Sequence, residues 1–370
     1  MLYARLFSKI YKMRIAVIGA GNGGQAIAGY LAMIGYSVTV YDRNEKKIAR
    51  LREIGYITLE GKISGIGRIA CFTTSIAEAI SEADIVMVAT VANAHADIAH
   101  KMSAHIKKGQ IIVLNPGRTC GSLVFKHALE KSKSTAKYYL AEAQTLVYAC
   151  RAIELGKVNI IGIKDEVLLS ALPASDTDYV LSQLQPLYPC FSKAENVFRI
   201  GLENIGAMFH PCVCLFNAAT IERQDEFWFY RDMTPQVARF IELFDEERLA
   251  IGRAYGIKLL SVKEWIKYAY KNTQGNTLCE LMQNNPAYHD IKAPGSIFTR
   301  QLTEDIPTGV IPLVELGQIA HVETPLLSSM VHIIEGLLQI DLYTESRNVR
   351  NLGLSGKDKE QIIRYINEGK

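Results

Sequence analysis

The amino-acid sequence predicts an α/β protein in which a doubly wound parallel sheet precedes an all-helical C-terminal domain. Three observations point there. Short apolar runs alternate with helical patterns from Arg14 onward, which is the signature of successive βαβ units. A glycine-rich turn joins the first such run to a helix. Beyond Ile200, β-branched runs give way to helical periodicity. The chain has 370 residues, long enough for two domains that each bury an apolar core.

In chain order, residues 1–12 are basic with scattered apolar positions and read as an N-terminal extension ahead of Met13. The first domain is expected over residues 13–200. Its strands are Ile15–Ile18, Ser37–Tyr41, Asp84–Ala89, Gln110–Leu114 and Val158–Ile163, with helical segments from about Gln25, over Ile98–Lys107 and over Tyr179–Leu187. The second domain, residues 201–370, carries helical periodicity over Gly201–Glu222, Pro235–Tyr255, Val262–Tyr270, Ile311–Ala320 and Pro325–Ile340.

Composition narrows the function classes. Hydrophobic residues at 49% and charged residues at 21% fit a globular protein rather than a disordered or fibrous one. A net charge of +3, with no basic run interleaved with aromatics, gives no electrostatic footprint for nucleic acid. No apolar run reaches the roughly 20 residues that cross a bilayer, so no membrane association is expected. The seven cysteines are scattered without a C-x-x-C pair. That spacing favours reduced thiols, a cytoplasmic location and no metal site.

Gly19-Ala20-Gly21-Asn22-Gly23-Gly24 carries the strongest chemical signal, because its context is right as well as its spacing. Gly19 ends an apolar strand, Gly24 opens a helix, and Asp42 closes the second strand eighteen residues later. This is a Rossmann-type dinucleotide site. Gly19 permits the tight turn, Gly21 and Asn22 bring the backbone to the pyrophosphate, and Gly24 lets helix and strand pack closely. Asp42 would accept hydrogen bonds from the adenosine ribose, which indicates NAD. Arg43 leaves NADP open, since a guanidinium there can pair with a 2′-phosphate. Loops after two further strands, Thr90–His95 and Asn115–Arg118, fall at the same sheet edge and are expected to line the nicotinamide half of the cofactor through Asn115. His95 is either part of that lining or only a helix-start residue.

The candidate acid/base is His210, followed by Pro211, which disfavours regular helical geometry at the histidine. Alone, a histidine before proline in an apolar helix is more often a satisfied core residue than a catalyst. Arg300-Gln301-Leu302-Thr303-Glu304-Asp305, in what reads as a Pro/Gly-punctuated loop, adds groups able to clamp a carboxylate and to orient an imidazole.

Taken together, these segments resemble the opine dehydrogenases. The resemblance is carried by Gly19 to Gly24, Leu114 to Gly117, Asn204, Met208-Phe209-His210-Pro211, Asn217 to Ala219, Gly256 to Trp265, Asn285 to Tyr288, Arg300 with Glu304-Asp305, Pro312 to Gly317, and Thr324-Pro325. It runs over most of the chain. It implies a His210–Asp305 catalytic dyad, with Arg300 holding the carboxylate of a 2-oxo acid; Asn204 is either near the nicotinamide or substrate or a buried polar residue of its helix. It also implies that a 2-oxo acid, often pyruvate, is condensed with the amino group of an amino acid and the imine reduced with NADH or NADPH. Cys150 would border the amino-acid pocket by the same resemblance, while its residue type alone reads more readily as an inert buried thiol. Where such proteins carry Glu-Thr, this chain has Glu142-Ala143, a departure that bears on substrate contacts. A homodimer is expected. Two readings compete: a 2-hydroxy acid or ketopantoate-type reductase, which would need a lysine where His210 stands and finds none over Glu203–Glu222, and a dinucleotide-sensing protein without chemistry.

Overall fold

A computed structural model describes residues 13–132, 136–270 and 273–370. The N-terminal extension lies outside them. The chain divides into two compact units, one comprising residues to Ile200 together with Arg364–Lys370, the other Gly201–Ile363.

The first unit is built on an eight-stranded sheet ordered β12-β11-β8-β7-β6-β1-β2-β5. Its strands are β1 (Arg14–Ile18), β2 (Ser37–Tyr41), β5 (Cys71–Thr73), β6 (Ile85–Val88), β7 (Ile111–Leu114), β8 (Tyr139–Ala143), β11 (Val167–Ala171) and β12 (Phe191–Lys193). From β5 across to β8 every pairing is parallel. β11 then runs antiparallel to β8, so the sheet is mixed at that edge. β1, β6 and β7 each present four consecutive buried residues, because helices cover both faces of the sheet. The helix after β6 begins at His95, three residues before the expected start, following a single 3₁₀ turn.

A second sheet, ordered β4-β3-β10-β9, was not anticipated apart from one strand. It comprises β3 (Tyr56–Gly61), β4 (Gly65–Arg68), β9 (Tyr148–Glu154) and β10 (Lys157–Ile163). It packs on the Asn22–Met33 helix at small residues. A Cβ on Gly67 would lie 2.1 Å from the carbonyl of Gly29, and one on Gly29 would meet Ile57 at 2.9 Å. Only glycines let sheet and helix approach this closely.

The second unit is helical, with one isolated bridge between Trp228 and Lys292. The helix expected over Gly201–Glu222 is broken into Val197–Gly201, Gly206–Phe216 and Ala218–Glu222. Arg248, fully buried, anchors the first break. Its guanidinium pairs with Asp245 at 2.6 Å and donates to the carbonyls of Leu202 at 2.9 Å and Leu260 at 2.6 Å. The segment read as a loop, Arg300–Gly309, is instead a short helix, Arg300–Thr303, running into a π-helical turn, Ile306–Val310, and then the Ile311–Ile319 helix. Proline at 307 misled that reading, since it occupies the first turn of the π-helical segment, where no backbone donor is needed. No helix among the described residues is long and apolar enough to cross a membrane.

Candidate active site

In the first unit, the loop after β1 has the geometry of an anion cradle. Gly19 sits at φ +105°, and a Cβ on Gly24 would fall 1.6 Å from the Gly19 carbonyl oxygen, so neither position admits a side chain. Gly21 is the contrary case. No atom lies within 4 Å of where its Cβ would be, and it starts the Asn22–Met33 helix without a side-chain cap or an acidic residue in the first turn. Open space over uncapped N–H groups at a positive dipole end suits a pyrophosphate. Asn22 spends its side chain elsewhere: its Oδ1 accepts from the Ala152 N–H at 3.2 Å and ties the loop to β9, leaving its backbone as the group able to meet a phosphate.

Asp42 stands at the end of β2 and is braced on both oxygens. Oδ2 accepts from the Ala20 N–H and from Lys47 Nζ, each at 2.9 Å, and Oδ1 from the Asn44 N–H at 3.0 Å. Burial resists its ionisation, but the Lys47 hydrogen bond and those backbone donors outweigh it and hold the carboxyl below its ordinary value. Arg43 is exposed. Lys47 was missed in the sequence, although Asn44, which caps the Glu45–Ile54 helix through the Lys47 N–H, places it one turn from Asp42. Gln25 was missed too. It is buried and locks the loop by donating to the Ala20 carbonyl at 3.1 Å while accepting from Gly156 N–H at 2.9 Å.

Asn115, expected to reach the cofactor, directs its amide nitrogen inward to the Val113 carbonyl at 2.9 Å. Glu142 is wholly buried, and its Oε2 accepts from the Ser122 N–H at 2.7 Å, so this carboxylate fixes the start of the Gly121–Lys131 helix. His95 is also wholly buried. Cys150 donates to the Asn22 carbonyl at 3.6 Å, with its thiol pushed up to about 11 by burial, which keeps it neutral.

In the second unit, the Gly206–Phe216 helix and the turn before the π-helix bring His210 and Asp305 together. Nδ1 of the imidazole lies 2.6 Å from Asp305 Oδ2, although the residues are 95 apart in the chain. The aspartate side chain is 9% exposed and the histidine 25%, so the carboxylate is sheltered while the ring stays reachable. Nε2 meets the Tyr230 hydroxyl at 2.9 Å. With Asp305 accepting from Nδ1–H, the lone pair falls on Nε2 and Tyr230 donates to it. Tyr230 stacks on Tyr288 with ring centroids 4.5 Å apart, and Phe229 lies edge-on to the His210 ring at 5.9 Å. No pattern in the sequence pointed to Tyr230.

Arg300 is near this dyad in sequence but already engaged. Its Nε and Nη2 donate to one oxygen of Glu304 at 3.0 and 2.8 Å, and its side chain is 66% exposed. Of the paired acids, Asp305 thus serves the histidine and Glu304 the arginine. Asn204 is buried against Gly309, where a Cβ would meet its amide nitrogen at 3.2 Å. Among the described residues no group of His, Cys, Asp and Glu is arranged to hold a metal.

Residues 193–338 match the family model described as NAD/NADP octopine/nopaline dehydrogenase, alpha-helical domain, and residues 14–114 match that of NADP oxidoreductase coenzyme F420-dependent. The chain is 36% identical over 343 residues to an opine dehydrogenase from Arthrobacter sp. (strain 1C), covering 92% of this chain and 95% of that protein. The solved structure of octopine dehydrogenase with NADH and L-arginine aligns with a TM-score of 0.81 at 21% identity, over 95% of this chain and 98% of that one. Yersinopine dehydrogenase with NADP+ bound aligns with a TM-score of 0.75 at 12% identity, over 96% and 99%. The last two establish likeness of fold.

Proposed function

The chain belongs to the opine dehydrogenase family, and from that premise we propose that His210 is its acid/base, oriented by Asp305, with Arg300 holding the 2-oxo acid. As a member it is an NAD(P)-dependent oxidoreductase acting on CH–NH donors, condensing a 2-oxo acid reductively with the amino group of an amino acid and running the reverse oxidation. The bound dinucleotide supplies or accepts the hydride. All remaining steps fall to side chains of this protein.

The observation that carries the residue assignment is the 2.6 Å contact between a sheltered carboxylate and an imidazole that stays reachable. Asp305 fixes the Nδ1–H tautomer and offsets positive charge on the ring. Nε2 then carries two protons in turn from the attacking amine to the carbonyl-derived oxygen, one as the C–N bond forms and one as the C–O bond breaks, so that the oxygen leaves as water. Arg300 presents a planar guanidinium suited to bidentate carboxylate binding, exchanging Glu304 for the substrate. Asn204, beside Gly309, supports that wall of the site.

Gly19, Gly21, Asn22 and Gly24 hold the pyrophosphate, and Asp42 with Lys47 and Arg43 receives the adenosine ribose. Asn115 shapes the loop at the nicotinamide end. Pyruvate is the favoured 2-oxo acid, supported by the solved octopine dehydrogenase complex with NADH and pyruvate. The seven free cysteines support a cytoplasmic protein. Exposed Phe216, Leu243 and Phe298 leave apolar surface on the helical unit that a second copy would cover in a homodimer.

The test is NADH consumption with pyruvate and pooled amino acids by wild type and His210→Ala. Loss of turnover in the variant is expected. Survival of turnover would overturn the assignment of His210.

A further inference from the structure

Tyr230 stands where the proposed base would act. Its hydroxyl lies 2.9 Å from Nε2 of His210, and Nδ1 is committed to Asp305 at 2.6 Å. An imidazole so engaged has one lone pair left, and the hydroxyl occupies it. The hydroxyl is held there from several sides. Residues 227–230 pair with residues 291–293: the Phe229 N–H donates to the Ile291 carbonyl at 2.8 Å and the Ala293 N–H to the Phe227 carbonyl at 2.9 Å, around a bridge between Trp228 and Lys292. The Tyr230 ring stacks on Tyr288 with centroids 4.5 Å apart and meets Phe229 at 4.9 Å and Phe209 at 6.2 Å edge to face.

The segment Asn285-Pro286-Ala287-Tyr288 builds the other side of that stack. Asn285 is buried, its Oδ1 accepts from the Ala287 N–H at 3.0 Å, and its carbonyl accepts from the Tyr288 N–H at 3.0 Å, which makes a tight turn. Tyr270 donates to the Tyr288 hydroxyl at 3.0 Å and fixes that ring in turn. Swinging Tyr230 off Nε2 would break the stack and the hydrogen bond together. A phenol that donates its hydrogen can accept another at the same oxygen. The hydroxyl can therefore pass protons to and from Nε2 without moving.

We propose that Tyr230 is a further catalytic residue, a relay through which protons pass between the substrate and Nε2 of His210. The inference rests on the proposed assignment of His210 as the acid/base. Each proton that leaves the amine nitrogen goes to the Tyr230 oxygen while the hydrogen already there goes to Nε2. Each proton that returns leaves Nε2 for the Tyr230 oxygen while the hydrogen there goes to the carbonyl-derived oxygen. The hydroxyl ends every transfer as it began, neutral and carrying one hydrogen. Positive charge appears only on the imidazole, where Asp305 stabilises it.

The test has two readouts, both on the full-length enzyme with NADH, pyruvate and the best amino acid of a pool. The first needs no variant. In mixtures of light and heavy water, kcat/KM of the wild type for the amino acid should fall along a curve, because two hydrogens move together in each relayed transfer. A single direct transfer to Nε2 gives a straight line. A straight line, or no solvent isotope effect, overturns the relay. The second is Tyr230→Phe, which keeps the ring and its stack. It should lower kcat by about 3- to 10-fold, with the KM for pyruvate and the affinity for NADH changed by less than about twofold. Wild-type kcat in Tyr230→Phe, where His210→Ala is inactive, overturns the relay and leaves His210 in place. Turnover that survives His210→Ala overturns the parent assignment and the relay with it.

Discussion

Replacing Asp305 by Asn should cripple the chemical step while leaving the fold and dinucleotide binding in place. The Asn side chain is the same size, but it presents no negative charge to an imidazole whose Nδ1 now lies 2.6 Å from a carboxylate oxygen. Taking the charge centres as roughly 4 Å apart, at an effective dielectric constant near 20, the carboxylate stabilises an imidazolium by about 4 kcal/mol. Solvent at the histidine, whose side chain is 25% exposed, screens this to about 3 kcal/mol. That corresponds to a fall in kcat/KM of roughly two orders of magnitude. The amide nitrogen of Asn would also donate toward Nδ1 and favour the tautomer with hydrogen on Nε2, so the figure is a lower bound. NADH oxidation with saturating pyruvate and amino acid, alongside NADH titration and thermal unfolding of the same variant, measures it. A loss below tenfold in a variant of wild-type stability would refute the dyad.

The remaining predictions concern both units. Tyr230→Phe removes the donor to Nε2 but keeps the stack on Tyr288, so kcat should drop by about 3- to 10-fold with thermal stability nearly unchanged, as read by rates and melting curves. Gly24→Ala would put a methyl 1.6 Å from the Gly19 carbonyl, and fluorescence titration should show NADH binding abolished or weakened beyond measurement. Lys47→Met removes the cation paired with Asp42 beside the proposed ribose site, and the affinity for 2′,5′-ADP should fall about tenfold relative to 5′-AMP in calorimetry. The folded pKa of Asp42 is below its unfolded value near 3.9, so its contribution is complete above about pH 4 and is lost as pH falls through the folded pKa. Asp42→Asn should flatten the acid limb of the stability profile, followed by circular dichroism.

The glycine loop after the first strand was legible because its requirements are local. A strand end, a turn without side chains and a helix start must occur within a few residues, and Gly19 to Gly24 state all three in order. His210 and Asp305 were legible only as members of a series of matching segments, since nothing in either segment tells that a contact spans 95 residues. Tyr230, Lys47 and Gln25 escaped because their contacts depend on packing partners. The small sheet escaped for a related reason: β4 is Gly65-Ile66-Gly67-Arg68, whose glycines suppress any alternating pattern while making room for the Asn22–Met33 helix. Arg300–Gly309 failed in the opposite way, its Pro and Gly punctuation marking the starts of helical segments rather than a loop.

The π-turn at Ile306–Val310 sets the rotational phase of everything upstream of it. Such a turn carries one residue more than a regular helical turn, and one residue corresponds to about 100° of azimuth. Gly309 lies at the point of closest approach to the His210 helix, where a Cβ would come 2.5 Å from that of Ala207. Deleting this single residue would shift the phase between the segment and Ile311–Ile319 and would place Pro312 inside a continuous helix, where it cannot donate. Asp305, Glu304 and Arg300 would then be carried around the axis together, away from His210. In this part of the molecule the length of the chain, counted to the residue, matters to the His210–Asp305 contact as much as the identity of the side chains.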